Sequence, residues 1–381
     1  MNGKPLEGIR VLTLEQFGAG PYGTMFLAEL GAEVIKIEAP DGGDPSRQVG
    51  PYKLGKDDSE YFQAWNLGKK SVTIDMKSVA GRAQFEALVK SADCVVNNLR
   101  GTQPAKLRID YASLKHLKPS IVCLHISAYG RANERKDWPG YDFLMQAEAG
   151  LMELTGEPDG PPTRVGVSMI DSMSGLTGIV GLLACLLRAH KTGVGCDVET
   201  CLYDVAMHQL TYPGAWYLNE GDVSPRVSRG GHLSLAPVQT FPTLDGWIFI
   251  MCMTQKFWLA LCEAMGRSDL LADTRFADPN TRAKNRAALT DALDPTFATR
   301  TTAEWLAKFN GLLPAAPVYR LDQALDSSFA RSADMVSSVP HPVKGTLRTI
   351  SNPIRVDGER LAQAACSPLG ADNDTYLDKA K

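Results

Sequence analysis

The 381-residue sequence predicts an α/β protein whose first half forms a parallel, helix-covered sheet. Three observations carry the prediction: β-branched apolar runs alternate with helical stretches, the connections are short, and glycine or proline turns close most runs. Gly8-Ile9-Arg10-Val11-Leu12-Thr13-Leu14 is the first strand and ends before Gly18-Ala19-Gly20-Pro21. Tyr22 to Leu30 reads as a helix closed by Gly31. Ala32 to Glu38 is a second strand, halted by Pro40 and Gly42-Gly43. Ser71 to Asp75, Asp93 to Asn98 and Ile121 to Ile126 are further strands, separated by helices over Val79 to Ser91 and Tyr111 to Leu117. Ligands of such sheets sit at the carboxyl ends of the strands.

From Val165 the pattern changes. Gly166 to Ser172 leads into a long apolar helix that ends at Thr192-Gly193, and Asp197 to Tyr217 reads as another helix. Pro213 to Pro225 looks like a boundary. Beyond it, Val238 to Met253 carries strand–turn–strand signals around Asp245-Gly246. Gln255 to about Asn310 is helical, with a capping box at Thr301-Thr302-Ala303-Glu304. Pro314 and Pro317 flank a return to extended chain at Val318-Tyr319.

Composition narrows the function classes. A formal charge of −3 with interspersed signs argues against nucleic acid or an anionic membrane surface as partner. No apolar run of signal-peptide length follows Met1, and none is long enough to span a bilayer, so a cytoplasmic protein is expected. The apolar stretch Leu176 to Leu187 reads as a buried helix. Eight scattered cysteines without a CxxC pair, and six histidines without HxxxH, read as reduced thiols and ordinary imidazoles rather than a metal site. GxGxxG after the first strand, GxxxxGK[ST] and GxSxG are all missing. Residue spacing alone therefore leaves an α/β enzyme of unassigned chemistry.

Larger segments say more. Pro5-Leu6-Glu7-Gly8-Ile9-Arg10-Val11-Leu12, Ala19-Gly20-Pro21 and Leu30-Gly31-Ala32-Glu33-Val34-Ile35-Lys36-Ile37-Glu38 resemble the opening of the class III CoA-transferases. That family includes formyl-CoA transferase, carnitine CoA-transferase and 2-methylacyl-CoA racemase. The likeness continues through Asn66 to Ser71, Ile74 to Lys77, Gly140-Tyr141-Asp142, Pro161 to Gly166, Asp204 and Thr240 to Gly246.

The resemblance implies a nucleophilic aspartate at Asp171. It implies coenzyme A contacts at Phe17, Gly18, Ile74, Asp75, Met76, Lys77, Asn98, Leu99 and Lys106. Coenzyme A enters as substrate, and no tightly bound cofactor or metal is expected. The basic side chain that some members place after the second strand is Ala39 here, so the 3′-phosphate must rely on other cations or bind more weakly. The glutamine that formyl-CoA transferases carry before Ala-Gly-Pro is Gly18, which argues against formate and oxalate chemistry. Expected architecture is a Rossmann-like large domain built from both chain ends (1–215 and 315–381), a smaller α+β domain (216–314) and an interlocked homodimer.

Physical chemistry supports Asp171 separately. It precedes a helix whose apolar positions Leu176, Ile179, Val180, Leu183, Leu186 and Leu187 recur at helical spacing. The helix N-terminus should keep its carboxylate ionised, and an ionised carboxylate can open a thioester. Taken alone, an aspartate before a helix is more often an N-cap.

Gly230 and Gly231 are candidate oxyanion donors. His232, with Arg229 beside it, is either a partner for the acceptor's free carboxylate or an uninvolved loop histidine. Tyr141 and Asp142 either line the acyl pocket or are a packed tyrosine beside an exposed acid. Arg47 is a candidate partner for phosphate or carboxylate, His125 a core histidine, and Lys69 and Lys70 a solvated pair. The expected reaction moves CoA from an acyl-CoA, succinyl-CoA favoured, to a small dicarboxylate. The alternative is a racemase, which needs two bases astride the α-carbon. The racemases carry histidine where Tyr141 stands, so tyrosine there favours transfer.

Overall fold

The computed structural model describes residues 3–377. They form two compact units, 3–149 with 166–209 and 327–377, and 150–165 with 210–326. The first unit holds six parallel strands: β1 (Arg10–Leu14), β2 (Glu33–Glu38), β3 (Lys70–Thr73), β4 (Cys94–Asn97), β5 (Val122–Ser127) and β6 (Cys196–Cys201). Their order is β3-β2-β1-β4-β5-β6. The chain winds outward through β2 and β3, then crosses back to place β4 beside β1. That reversal opens a crevice beyond the carboxyl ends of β1 and β4, where doubly wound sheets bind ligands.

The helices that accompany this sheet include α1 (Ala19–Glu29), α2 (Glu60–Asn66), α3 (Val79–Val89), α4 (Gln103–Lys106), α5 (Tyr111–Leu114), α6 (Asp142–Glu148), α7 (Met169–Thr192) and α8 (Leu202–His208). Continuous apolar runs in the central strands reflect burial on both faces. Leu12, Ile35, Val72 and Val95 are all at 0% exposure and pack with Phe85 and Val89 of α3. Each such side chain contributes ~1.5–3 kcal/mol through burial.

Two expectations fail here. Asp197 does not open a helix: Cys196–Cys201 is the edge strand β6, in register with β5 from Val122↔Cys196 to Ser127↔Cys201. Its alternating exposure, with Asp197 and Glu199 outward, suits a strand buried on one face only. The apolar helix α7 is not wholly buried either. Ile170, Ile179, Leu182 and Leu186 are buried, whereas Val180 and Leu187 are 70% and 66% exposed. By length and composition α7 is apolar enough to cross a membrane, contrary to the reading that no stretch is long enough.

Glycines decide how α1 and α7 meet. A Cβ on Gly175 would lie 2.5 Å from the carbonyl oxygen of Ala19, and one on Gly23 would lie 2.7 Å from that of Gly175. Both clashes are impossible for real atoms, so backbone packs on backbone and the two helix N-termini converge.

The second unit contains α9 (Thr211–Glu220) and an antiparallel sheet, β7 (Val238–Pro242), β8 (Trp247–Met251) and β9 (Ala315–Pro317). Helices over Gln255–Met265, Arg286–Phe297 and Thr302–Phe309 cover it through Trp258, Phe297, Trp305 and Phe309. The capping box at Thr301 and Glu304 is present. This unit is larger than residues 216–314, for a visible reason. Arg226 donates to the carbonyls of Glu157 and Gly160 at 3.2 and 2.7 Å, tying the 150–165 loop to the 210–326 segment.

Candidate active site

Asp171 lies in the first turn of α7 and is not its N-cap; Ser168 holds that position without a side-chain bond to the helix. The capping role falls to a residue far away in sequence. Asp142 Oδ2 accepts the backbone N–H of Asp171 at 2.9 Å, and its Oδ1 accepts from Gln146 Nε2 at 2.6 Å. Asp142 is only 3% exposed, whereas Tyr141 is 59% exposed. Of the two readings of this pair, the packed tyrosine beside an exposed acid is therefore inverted, and Tyr141 is a cleft residue.

The Asp171 carboxylate fills space that only glycine leaves open. A Cβ on Gly18 would fall 2.8 Å from Cγ and 3.1 Å from Cβ of Asp171. Gly18 is also the N-cap of α1 and contributes no side-chain cap, so the carboxylate packs against the residue from which the first-turn N–H groups of α1 begin. Helix dipoles should keep Asp171 ionised, but the environment outweighs them. Burial, and then the neighbouring Asp142 charge, push its pKa up to about 7. The expectation of a plainly ionised carboxylate thus fails.

Asp171 lines a cleft of about 470 Å³ with Phe17, Gly18, Asn98, Leu99 and Tyr141. The Phe17 ring packs edge-on to Tyr141 at 6.3 Å. A second cleft of about 350 Å³ is lined by Ile74, Asp75, Met76, Lys77 and Ala39. Gln16, Leu99 and Leu107 border both, so the two are continuous along the carboxyl ends of β1 to β4. Lys106 is exposed at the end of α4, on the same short helix as the cleft residue Gln103. The structure thus gathers Asp171 and eight of the nine proposed coenzyme A contacts around one elongated crevice, with Lys106 at its border.

Several of these residues shape the crevice with their side chains. Asn98 clamps Gln16, accepting its N–H at 2.9 Å and donating to its carbonyl at 2.6 Å. Asp75 accepts the N–H of Lys77 at 3.0 Å, holding the turn after β3. Residue spacing had not marked Gln16, Arg100 and Gln103 in the first cleft, nor Tyr61, whose phenol is pushed up by burial and then by the charges of Asp171 and Asp44.

Beneath the second cleft lies a buried ionic network. Arg47 is not available to ligand: its guanidinium forks onto Glu38 with two 2.7 Å bonds and stacks on Phe62. Nor is Lys69 a solvated residue. It is 1% exposed and donates to Glu15 Oε1 at 2.7 Å, while burial lowers its pKa to about 8. Lys36 pairs with Asp44 at 2.9 Å and donates to the Glu15 carbonyl. His125 is a satisfied core histidine, with Nδ1 2.9 Å from Asn97 and Nε2 2.8 Å from Asp197.

Arg229, Gly230, Gly231 and His232 belong to the second unit. Arg229 is engaged by Asp294 at 2.6 Å, and the Gly231 N–H is spent on the Ser228 carbonyl at 3.1 Å, which removes it as an oxyanion donor. His232 stacks on Tyr212 with ring centroids 5.6 Å apart. Burial, then Arg286, lower its pKa, so it is neutral at pH 7. Gly230 and Gly231 line a hollow of about 270 Å³ together with Tyr212.

Comparison with known proteins identifies the family. Residues 6–373 match the family described as CoA-transferase family III. The chain is 34% identical over 372 residues to a succinyl-CoA:mesaconate CoA-transferase of Haloarcula hispanica, covering 96% of this chain and 93% of that protein. It is 31% identical over 377 residues to the succinyl-CoA:glutarate CoA-transferase of Mus musculus, covering 99% and 86%. A crystal structure of a CaiB/BaiF family protein from Brucella suis superposes with a TM-score of 0.87 at 30% identity, covering 100% of both chains. The chain belongs to CoA-transferase family III, and it is a class III CoA-transferase.

Proposed function

We propose that the enzyme moves CoA from succinyl-CoA to a small dicarboxylate, with Asp171 as the group that carries the intermediates. The observation that carries this reading is the placement of Asp171: its carboxylate packs against Gly18 and lines a crevice that continues past the Ile74–Lys77 segment. Succinyl-CoA and a dicarboxylate are favoured because the mesaconate and glutarate enzymes of the relatives use them.

In the first step a carboxylate oxygen of Asp171 attacks the thioester carbonyl and the C–S bond breaks, giving a mixed anhydride and CoA thiolate. The thiolate then attacks the aspartyl carbonyl, forming the aspartyl-CoA thioester and releasing succinate. The acceptor carboxylate attacks that thioester, a second anhydride forms, and the thiolate returns to the acceptor's own carbonyl. Asp171 ends as it began, and no proton is gained or lost. Each tetrahedral intermediate carries an oxyanion. Candidate donors are the N–H groups of Ala19 and Gly20 in the first turn of α1, each good donor contributing ~3–4 kcal/mol.

Neither cleft lining contains a histidine, which supports transfer over racemisation. The same reading includes a homodimer, in which the exposed Val180 and Leu187 of α7 would be covered by the partner chain. The test supplies succinyl-CoA with a panel of dicarboxylates and follows new acyl-CoA by mass. Formation of the acceptor thioester with equimolar succinate is expected. Exchange of the α-proton with deuterated water, without CoA transfer, would point to the racemase instead.

A further inference from the structure

We propose that Asp142 is a positioning residue for the transfer: it pins the backbone of Asp171 and sets beside its carboxylate a like charge whose repulsion vanishes whenever Asp171 is acylated. The inference rests on the reading of Asp171 as the carrier of the intermediates.

The geometry is specific. Asp142 opens α6 yet turns its carboxylate away from its own helix end toward the first turn of α7, where Oδ2 takes the N–H of Asp171 at 2.9 Å. Gln146, one turn later on α6 and 1% exposed, holds the other oxygen. Among the described residues no Lys or Arg forms an ion pair with Asp142, and it is buried. A buried carboxylate without a cation is costly, and a neutral amide of the same shape would cap the helix as well. Retaining charge there therefore acts on the next charge along.

That next charge is Asp171. The neighbouring elements offer few other groups that could act on it. The first turn of α1, Ala19-Gly20-Pro21, has no titratable side chain, and those further along, Tyr22 and Glu29, lie deeper in the helix. On β5 and β6, His125 and Asp197 are bonded to one another, with Glu199 beyond them; α8 carries Tyr203 and Asp204. Tyr61 and Tyr141 are phenols near the same carboxylate. Asp142 is the charged group that touches the nucleophile's own backbone.

Two consequences follow from elementary electrostatics. Repulsion raises the energy of the free carboxylate, while anhydride and thioester forms of Asp171 are uncharged and feel none of it. Asp142 therefore favours acylation without contacting substrate, which is differential stabilisation along the reaction. By taking the Asp171 N–H, it also removes a donor that would otherwise bond the carboxylate and lower its basicity.

The test uses Asp142→Asn, with Asp142→Ser as a second uncharged variant that keeps an acceptor for the Asp171 N–H. Thermal unfolding first establishes that a variant is folded. In folded variants the acid limb of the kcat/KM–pH profile should move down by one pH unit or more, and the steady-state fraction of trapped aspartyl-CoA adduct should fall at least fivefold. An unchanged acid limb and adduct fraction in either folded variant, while Asp171→Asn is inactive, overturns the role of Asp142 alone. Full activity in Asp171→Asn overturns this inference together with the reading it rests on.

Discussion

Replacing Asp171 by Asn should make the protein more stable at alkaline pH while abolishing transfer. Burial and Asp142 raise the Asp171 pKa from 3.8 to about 7. A shift of about three units corresponds to ~4 kcal/mol of differential cost for the charged form. The side chain keeps some contact with solvent at the cleft, which screens the penalty, so a gain of ~1–3 kcal/mol is expected for the uncharged variant. The sign follows from linkage. With the folded pKa above the unfolded one, the folded state holds the proton more tightly, and stability is lost as pH rises through about 7. The advantage of Asp171→Asn should accordingly be largest above pH 7, shrink as pH falls, and nearly vanish below about pH 4. Urea unfolding of both proteins at about pH 8.5 and about pH 5 reads this directly. A variant no more stable than wild type at the higher pH, or a gain equal at both, would refute the argument that Asp171 is an electrostatically strained carboxylate.

Other perturbations test the frame around that carboxylate. Gly18→Ala places a methyl group 2.8 Å from Asp171 Cγ, so the carboxylate must swing away; kcat should fall ~100-fold or more with little change in melting temperature. Gly175→Ala sets a Cβ 2.5 Å from the Ala19 carbonyl and should part α1 from α7, costing ~1–3 kcal/mol in thermal or urea unfolding. Arg47→Met strands Glu38 as a buried charge, and a loss of ~3–5 kcal/mol is expected. Were Arg47 instead a ligand for CoA phosphate, the same variant would raise KM and leave stability unchanged.

The parts of the fold legible in the sequence are those set by local pattern. Leu12, Ile35 and Val95 sit in continuous apolar runs because their strands are buried on both faces, and such runs are read without tertiary information. The strand at Cys196–Cys201 hid because it lies at an edge, with polar Asp197 and Glu199 diluting the apolar signal; their period of two was the clue. The turn at Gly18, the Ile74–Lys77 segment and Asp171 were found through resemblance, and they line a common crevice. What stayed illegible depends on partners distant in the chain. Lys69 looks solvated until Glu15, 54 residues upstream, is brought beneath it. The pKa of Asp171 is raised by burial first and then by Asp142, 29 residues away, and neither is visible from helix position alone.

The most direct measurement is to incubate wild type and Asp171→Ala with succinyl-CoA, trap with borohydride or hydroxylamine, and map the product by mass spectrometry. The account predicts a modification confined to Asp171 in wild type, dependent on succinyl-CoA and missing from the variant. Transfer that proceeds in Asp171→Ala, or an adduct mapping to another residue, would contradict it.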